Sequence, residues 1–116
     1  MINVRFEAVN GSLILDMKGH AAFAELGRDP VCAGASVLAM TAAQCVRNME
    51  TQGKFKKKAT IRIRNGHVHV VCTPKKAFYS EALYLYYIAE TGMHLLAESY
   101  PENVELIPFI IPESGN

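Results

Sequence analysis

Residues 2–18 read Ile2-Asn3-Val4-Arg5-Phe6-Glu7-Ala8-Val9-Asn10-Gly11-Ser12-Leu13-Ile14-Leu15-Asp16-Met17-Lys18, and this stretch decides the fold class. Ile2, Val4, Phe6 and Ala8 alternate with Asn3, Arg5 and Glu7, the period of two that turns one face of a strand towards a core. Asn10-Gly11 is the strongest short hairpin signal, because a tight two-residue turn needs left-handed backbone at both central positions. Leu13, Leu15 and Met17 then alternate against Ser12, Ile14 and Asp16 along a return strand over 12–18.

The same signature recurs downstream as Thr60-Ile61-Arg62-Ile63-Arg64, the turn Asn65-Gly66, and His67-Val68-His69-Val70-Val71-Cys72. Each hairpin is followed by a long helical segment, the first over about 30–51 and the second over about 76–99. A last strand reads from Val104 to Ile111. Pro108 has no N–H to give a ladder, so that strand belongs at an edge or carries a bulge. The order ββαββαβ predicts an α+β domain with an antiparallel or mixed sheet and two long helices packed on it. The repeated hairpin-and-helix unit fits either a true internal repeat or a common supersecondary pairing.

The first helix is apolar nearly all round as far as Arg47, interrupted only by Ser36, Thr41 and Gln44, which predicts burial on more than one side. The second helix carries Phe78, Leu85, Ile88, Leu95 and Leu96 among its apolar positions, has a weak point at Gly92, and ends at Pro101.

At 116 residues the chain suits one domain over 1–116 with a modest core. Half of its residues are hydrophobic, a fifth are charged and the net charge is +1, so no global field draws it to nucleic acid. No apolar run is long enough to span a bilayer, and the N-terminus alternates like a strand instead of a signal peptide, which predicts a cytoplasmic protein. Three cysteines, Cys32, Cys45 and Cys72, without C-x-x-C spacing argue against a disulfide framework and a structural zinc site.

The chemistry concentrates between the first hairpin and the first helix, in Gly19-His20-Ala21 and Gly27-Arg28-Asp29-Pro30-Val31-Cys32-Ala33-Gly34-Ala35-Ser36. Residues 19–29 have no sustained period and read as a loop. Asp29 is a favoured N-cap and Pro30 is preorganised for the first helical position. Cys32 then falls in the first turn, beside unpaired backbone N–H groups and the positive end of the helix dipole, both of which favour the nucleophilic thiolate. The same N–H groups are candidates for holding an oxyanion. His20 lies twelve residues earlier, within reach as a general base, and Ser36 lies one turn on along the same helical face. The bland alternatives are a small packing cysteine, a surface histidine, a purely structural Asp29 cap and a serine bonded to its own helix.

Other groups carry weaker signals. His67 and His69 share one strand face, but no third ligand is evident beside Arg62 and Arg64, so no metal is expected. No phosphate loop or dinucleotide fingerprint is present, so no cofactor is expected. Lys54, Lys56, Lys57 and Lys58, with Phe55 as a stacking residue, make a candidate for weak RNA contact, although a solvated linker is the usual reading. Tyr79, Tyr84, Tyr86 and Tyr87 suit a core, dimer contact or groove wall.

At the histidine–cysteine residues the chain resembles the ribosomal-processing cysteine protease (Prp) family. The match rests on Gly19-His20-Ala21, then Gly27, Asp29, Val31, Cys32, Ala33 and Ser36, at the family's separation of histidine from cysteine. Pro30 replaces an aliphatic residue of that pattern, and Gly34-Ala35 replaces Ala-Val, which removes bulk near the thiol. The resemblance extends over nearly the whole chain. It implies a cysteine endopeptidase that removes the N-terminal extension of a large-subunit ribosomal protein, bacterial protein twenty-seven of that subunit. It also implies Cys32 as nucleophile, His20 as base, Gly19, Asp29 and Ser36 in support, and a homodimer. Gly19 and Gly27 at the flanks of the 19–31 loop make that loop a candidate to open for the peptide and close over it. The competing reading is a non-catalytic ribosome- or RNA-associated binding module.

Overall fold

The structure is a computed structural model, and it describes residues 1–110. The elements run β1 (Ile2–Val9), β2 (Ser12–Gly19), α1 (Pro30–Thr51), β3 (Thr60–Arg64), β4 (His67–Cys72), a 3-10 turn (Lys76–Phe78), α2 (Tyr79–Ser99) and β5 (Val104–Ile107). The order is ββαββαβ, as the sequence predicts. Asn10 and Gly11 both hold positive φ (50° and 82°), the backbone that the first hairpin turn requires.

The five strands form one mixed sheet in the order β3-β4-β2-β1-β5. Strand β5 runs parallel to β1, and every other neighbour is antiparallel. The two hairpins therefore lie side by side, joined where β2 pairs with β4. Register sets Phe6 against Leu15 and Leu15 against Val70, so the alternating apolar residues of three strands form one continuous face. Both helices cover that face, and the opposite face stays open to solvent.

Helix α1 presents Val31, Ala35, Ala39, Ala42, Ala43, Val46 and Met49 inward. Its alanines bring the helix axis close to the sheet. The helix also packs against α2, yet Val37 remains 65 % exposed and Met40 43 % exposed. The inward stripe of α2 is Ala82, Tyr86, Ala89 and Met93, not the apolar positions that the sequence suggests, and Ile88 and Leu95 face outward. Tyr86 is fully buried and donates from its hydroxyl to the Val70 carbonyl at 3.2 Å, which anchors α2 on β4. Tyr84 is exposed, and Tyr87 packs edge-on against Phe109.

Three sequence expectations change. Gly92 is a crossing point, not a weak point: a Cβ there would lie 2.5 Å from Leu38 Cδ2 of the facing helix. Phe55 is buried in the core and bridges to Pro74, so it is unavailable for stacking on a base. The last strand stops at Ile107, just before Pro108, because the proline ends the ladder; it is an edge strand, and Ile111 lies outside the described residues.

Candidate active site

Helix α1 begins as the sequence predicts. Asp29 is the N-cap, with extended backbone, and Pro30 opens the helix. The Asp29 carboxylate is 6 % exposed and accepts four backbone hydrogen bonds. Oδ1 takes the N–H groups of Val31 (2.9 Å) and Cys32 (3.1 Å), and Oδ2 takes those of Phe23 (2.9 Å) and Ala24 (3.1 Å). Burial pushes the carboxyl pKa up, but the four donors outweigh it and hold the group below the usual carboxylate value. One side chain thus caps the helix and ties the 19–29 loop to it.

That cap overturns one expectation. The N–H groups of Val31 and Cys32 are committed to Asp29 Oδ1, and Ala33 N–H to the Asp29 carbonyl at 3.0 Å. The first turn of α1 is therefore not a row of free donors for an oxyanion. The donor aimed at the thiol comes instead from the loop: Ala21 N–H points at Cys32 Sγ at 3.1 Å. Ala22, the next residue, holds a positive φ of 56°, a strained conformation for a side-chain-bearing residue, which recurs at functional sites. The Ala21 carbonyl is held by Asn103 Nδ2 at 2.8 Å.

Gly19, His20, Cys32 and Ser36 line one cavity of about 240 Å³, together with Ile2, Met17, Leu26, Met40, Ile63 and the Arg64–Val68 segment. His20 follows the last residue of β2 directly. Gly19 N–H donates to the Gly66 carbonyl at 2.9 Å, which extends the β2–β4 ladder up to the histidine. Gly66, in the second hairpin turn, faces the imidazole so closely that a Cβ there would lie 3.0 Å from His20 Nε2. Cys32 is half-buried at the floor, and His20 is exposed at the wall. The sequence reading places Ala21 in the motif and Gly66 in the second hairpin turn, but not the Ala21 N–H on the sulfur, Gly66 against His20, or the apolar walls. Gly34 does not line this cavity: it sits towards Leu96 of α2, where a Cβ would make an ordinary contact at 3.7 Å, so it does not open space beside the thiol.

Residues 1–105 match the family described as cysteine protease Prp. The chain belongs to the cysteine protease Prp family. No curated protein sequence matches it. Among solved structures, it is similar to the essential ribosomal processing protease Prp from S. aureus, in complex with a covalently linked product peptide. That likeness has 25 % identity and a TM-score of 0.73, over 93 % of this chain and 99 % of that one. The same S. aureus protease in complex with a substrate peptide shares the fold, with 24 % identity, a TM-score of 0.68 and the same coverage of each chain. SMU.848 from Streptococcus mutans is 25 % identical, with a TM-score of 0.66 and 94 % of each chain covered. The ββαββαβ architecture is thus that of the Prp fold.

Of the remaining candidates, His67 also borders this cavity, whereas His69 and the lysines of 54–58 lie outside it. Lys54 is drawn into an ion pair with Glu81 (2.8 Å) and lies over the Phe78 ring, which leaves Lys56, Lys57 and Lys58 exposed. His67 and His69 are half-buried instead of freely exposed, because both hydrogen-bond to Asp16 of β2. Burial pushes the Asp16 carboxyl pKa up, but the two histidines bring it below the ordinary value. No described helix is long and apolar enough to cross a membrane.

Proposed function

We propose that this Prp family member is an endopeptidase of narrow scope that removes the N-terminal extension of a large-subunit ribosomal protein. The observation that carries this reading is the arrangement of His20 and Cys32 on one apolar-walled cavity, with a backbone N–H trained on the sulfur. The ribosomal processing role of the similar S. aureus protease supports the substrate class.

In this mechanism Cys32 Sγ, as thiolate, attacks the scissile carbonyl, and the electron pair of the C=O bond moves onto oxygen. The α1 amides are spent on Asp29, and the Ala21 N–H, aimed at the sulfur, supports the thiolate before the attack. The tetrahedral species collapses, the C–N bond breaks, and protonated His20 gives its proton to the leaving amine. His20 then deprotonates water, whose oxygen attacks the thioester. The released carboxylate leaves Cys32 ready for another cycle. Gly19 sets the histidine at the strand end, Asp29 positions both Cys32 and the loop, and Ser36 borders the peptide. The apolar walls Leu26, Met40 and Ile63 suit an apolar segment around the cut.

The working form is a cytoplasmic homodimer of single 1–116 domains. The exposed apolar residues Val37, Leu95 and Ile88 on the outer helical surface support a second copy there. Intact-mass analysis of the extended ribosomal protein after incubation with the parent chain and with Cys32→Ala tests the activity. Loss of the extension with the parent only is expected. An intact substrate in both samples returns the chain to the competing reading of an RNA-associated module built on Lys56–Lys58.

A further inference from the structure

A second cluster of chemically capable side chains lies on the open face of the sheet, opposite the helices. Asp16 projects from β2, and His67 and His69 project from β4, two residues apart and hence on the same face. Antiparallel register sets Asp16 directly across from His69. Asp16 Oδ1 lies 2.8 Å from His67 Nε2 and 2.7 Å from His69 Nδ1, and the three atoms all fall within 4.8 Å of one another. The carboxylate is only 7 % exposed although its strand face is open, because the two imidazoles close over it.

We propose that Asp16, His67 and His69 form a zinc site that ties the second hairpin to the first. The donor set is two imidazole nitrogens and one carboxylate oxygen, the combination that zinc takes when it keeps a fourth position for water. Zinc–ligand bonds of about 2.0–2.1 Å put tetrahedral ligands roughly 3.3 Å apart. Each nitrogen–oxygen separation therefore opens by roughly 0.6 Å from its present value, within reach of small side-chain rotations. The cation takes the place of the shared protons that now bridge the three groups. A hollow of about 220 Å³ over Asn3, Arg5, Lys18 and Glu105 reaches Asp16, which gives water access to the fourth position.

Positive neighbours oppose the ion. Arg64 and Lys18 stand across from His67, Arg62 across from His69, and Arg5 across from Asp16. Arg5 is neutralised by an ion pair with Glu7, and Lys18, Arg62 and Arg64 are exposed, where solvent and salt screen them. Binding is accordingly weaker in low salt, the reverse of the behaviour of an acidic surface patch. His67 also borders the cavity that holds His20 and Cys32, but neither of those two residues belongs to the metal cluster.

The competing zinc ligand is the Cys32 thiolate with His20, so the test uses metal-free full-length Cys32→Ala. Zinc chloride is titrated by calorimetry, and melting is followed with and without the metal. One zinc per chain and a rise in Tm of several degrees are expected. Cobalt in its place should give a visible spectrum without the sulfur-to-metal charge-transfer band. Adding His69→Gln, which keeps a polar side chain against Asp16, or Asp16→Asn should abolish both the binding and the Tm shift. The metal-free melts show whether these variants fold. Absence of binding in Cys32→Ala, or binding that survives in a folded His69→Gln variant, overturns the proposal.

Discussion

Gly66 of the second hairpin turn is packed against the imidazole of His20, with so little space that a Cβ would come within 3.0 Å of Nε2. The turn therefore serves two ends at once. Its φ of +76° closes the β3–β4 hairpin, and its bare Cα leaves the histidine room at the cavity wall.

These two roles separate by mutation. Asparagine tolerates left-handed backbone, so Gly66→Asn should keep the turn and the fold, with Tm lowered by only a few degrees. Its side chain occupies the space of the ring and displaces His20. The expected loss in kcat/KM is about 100-fold, the scale set by a misplaced catalytic group. Peptide cleavage assays beside thermal melts check it; unchanged turnover in a folded variant would show that the turn does not position the histidine.

The three cysteines should differ sharply in alkylation at neutral pH. Cys32 is half-buried in the cavity and receives the Ala21 N–H, whereas Cys72 is buried beneath α2 and burial pushes its thiol pKa up to about 11. Thiolate supplies the reactivity, so Cys72 should stay unmodified until the chain unfolds. Peptide mapping after brief iodoacetamide treatment reads this directly. The expected order is Cys32 first and Cys72 last, and a saturating peptide substrate should protect Cys32 alone.

Local signals were legible in the sequence, and cross-chain ones were not. The Asn-Gly turns and the Asp29-Pro30 start of α1 each depend on a few adjacent residues, and the first helix runs over Pro30–Thr51 as read. The same locality let the loop histidine and the first-turn cysteine be chosen as partners. The second pair of donors on Asp29 Oδ2, from Phe23 and Ala24, comes from loop conformation that no periodicity encodes. Asp16 joins His67 and His69 only because β2 pairs with β4, a pairing of strands fifty residues apart in which a one-residue slip would send Asp16 to the other face. Phe55 reads as exposed among lysines, yet its neighbours Lys54 and Lys56 make backbone bonds across to Lys75 and Thr73 that carry its ring into the core.

The Asp29 cap gives the folded state a definite acid dependence. Its folded pKa lies below the ordinary value of 3.8, so the unfolded chain binds the proton first as pH falls. The stability that this carboxylate contributes is therefore complete above the ordinary value and is lost as pH drops through the folded one. Asp29→Asn should melt below the parent at neutral pH, because one amide oxygen cannot serve both pairs of donors. The gap between the two melting temperatures should narrow as pH falls below 3.8. Melting curves across that range check it; a constant gap would place the acid sensitivity on other carboxylates.

The crossing of the two helices supplies a test in which the sign of a mutation depends on its neighbour. Gly92 lies in the interior of α2, where alanine is favoured over glycine by about 1 kcal/mol through backbone entropy. Space opposes that gain. The new Cβ would meet Leu38 at Cδ2 (2.5 Å), Cδ1 (2.9 Å) and Cγ (3.3 Å), so a turn about the outer side-chain bond alone does not clear it. Overpacking of this kind costs roughly 1–3 kcal/mol, which exceeds the propensity gain, so Gly92→Ala alone should be neutral to destabilising. In a Leu38→Ala background the obstacle is gone, and the same substitution should stabilise by up to about 1 kcal/mol. Urea denaturation of the four chains in the cycle measures the coupling directly. Equal effects of Gly92→Ala in both backgrounds would mean that the helices already separate enough to admit a methyl group.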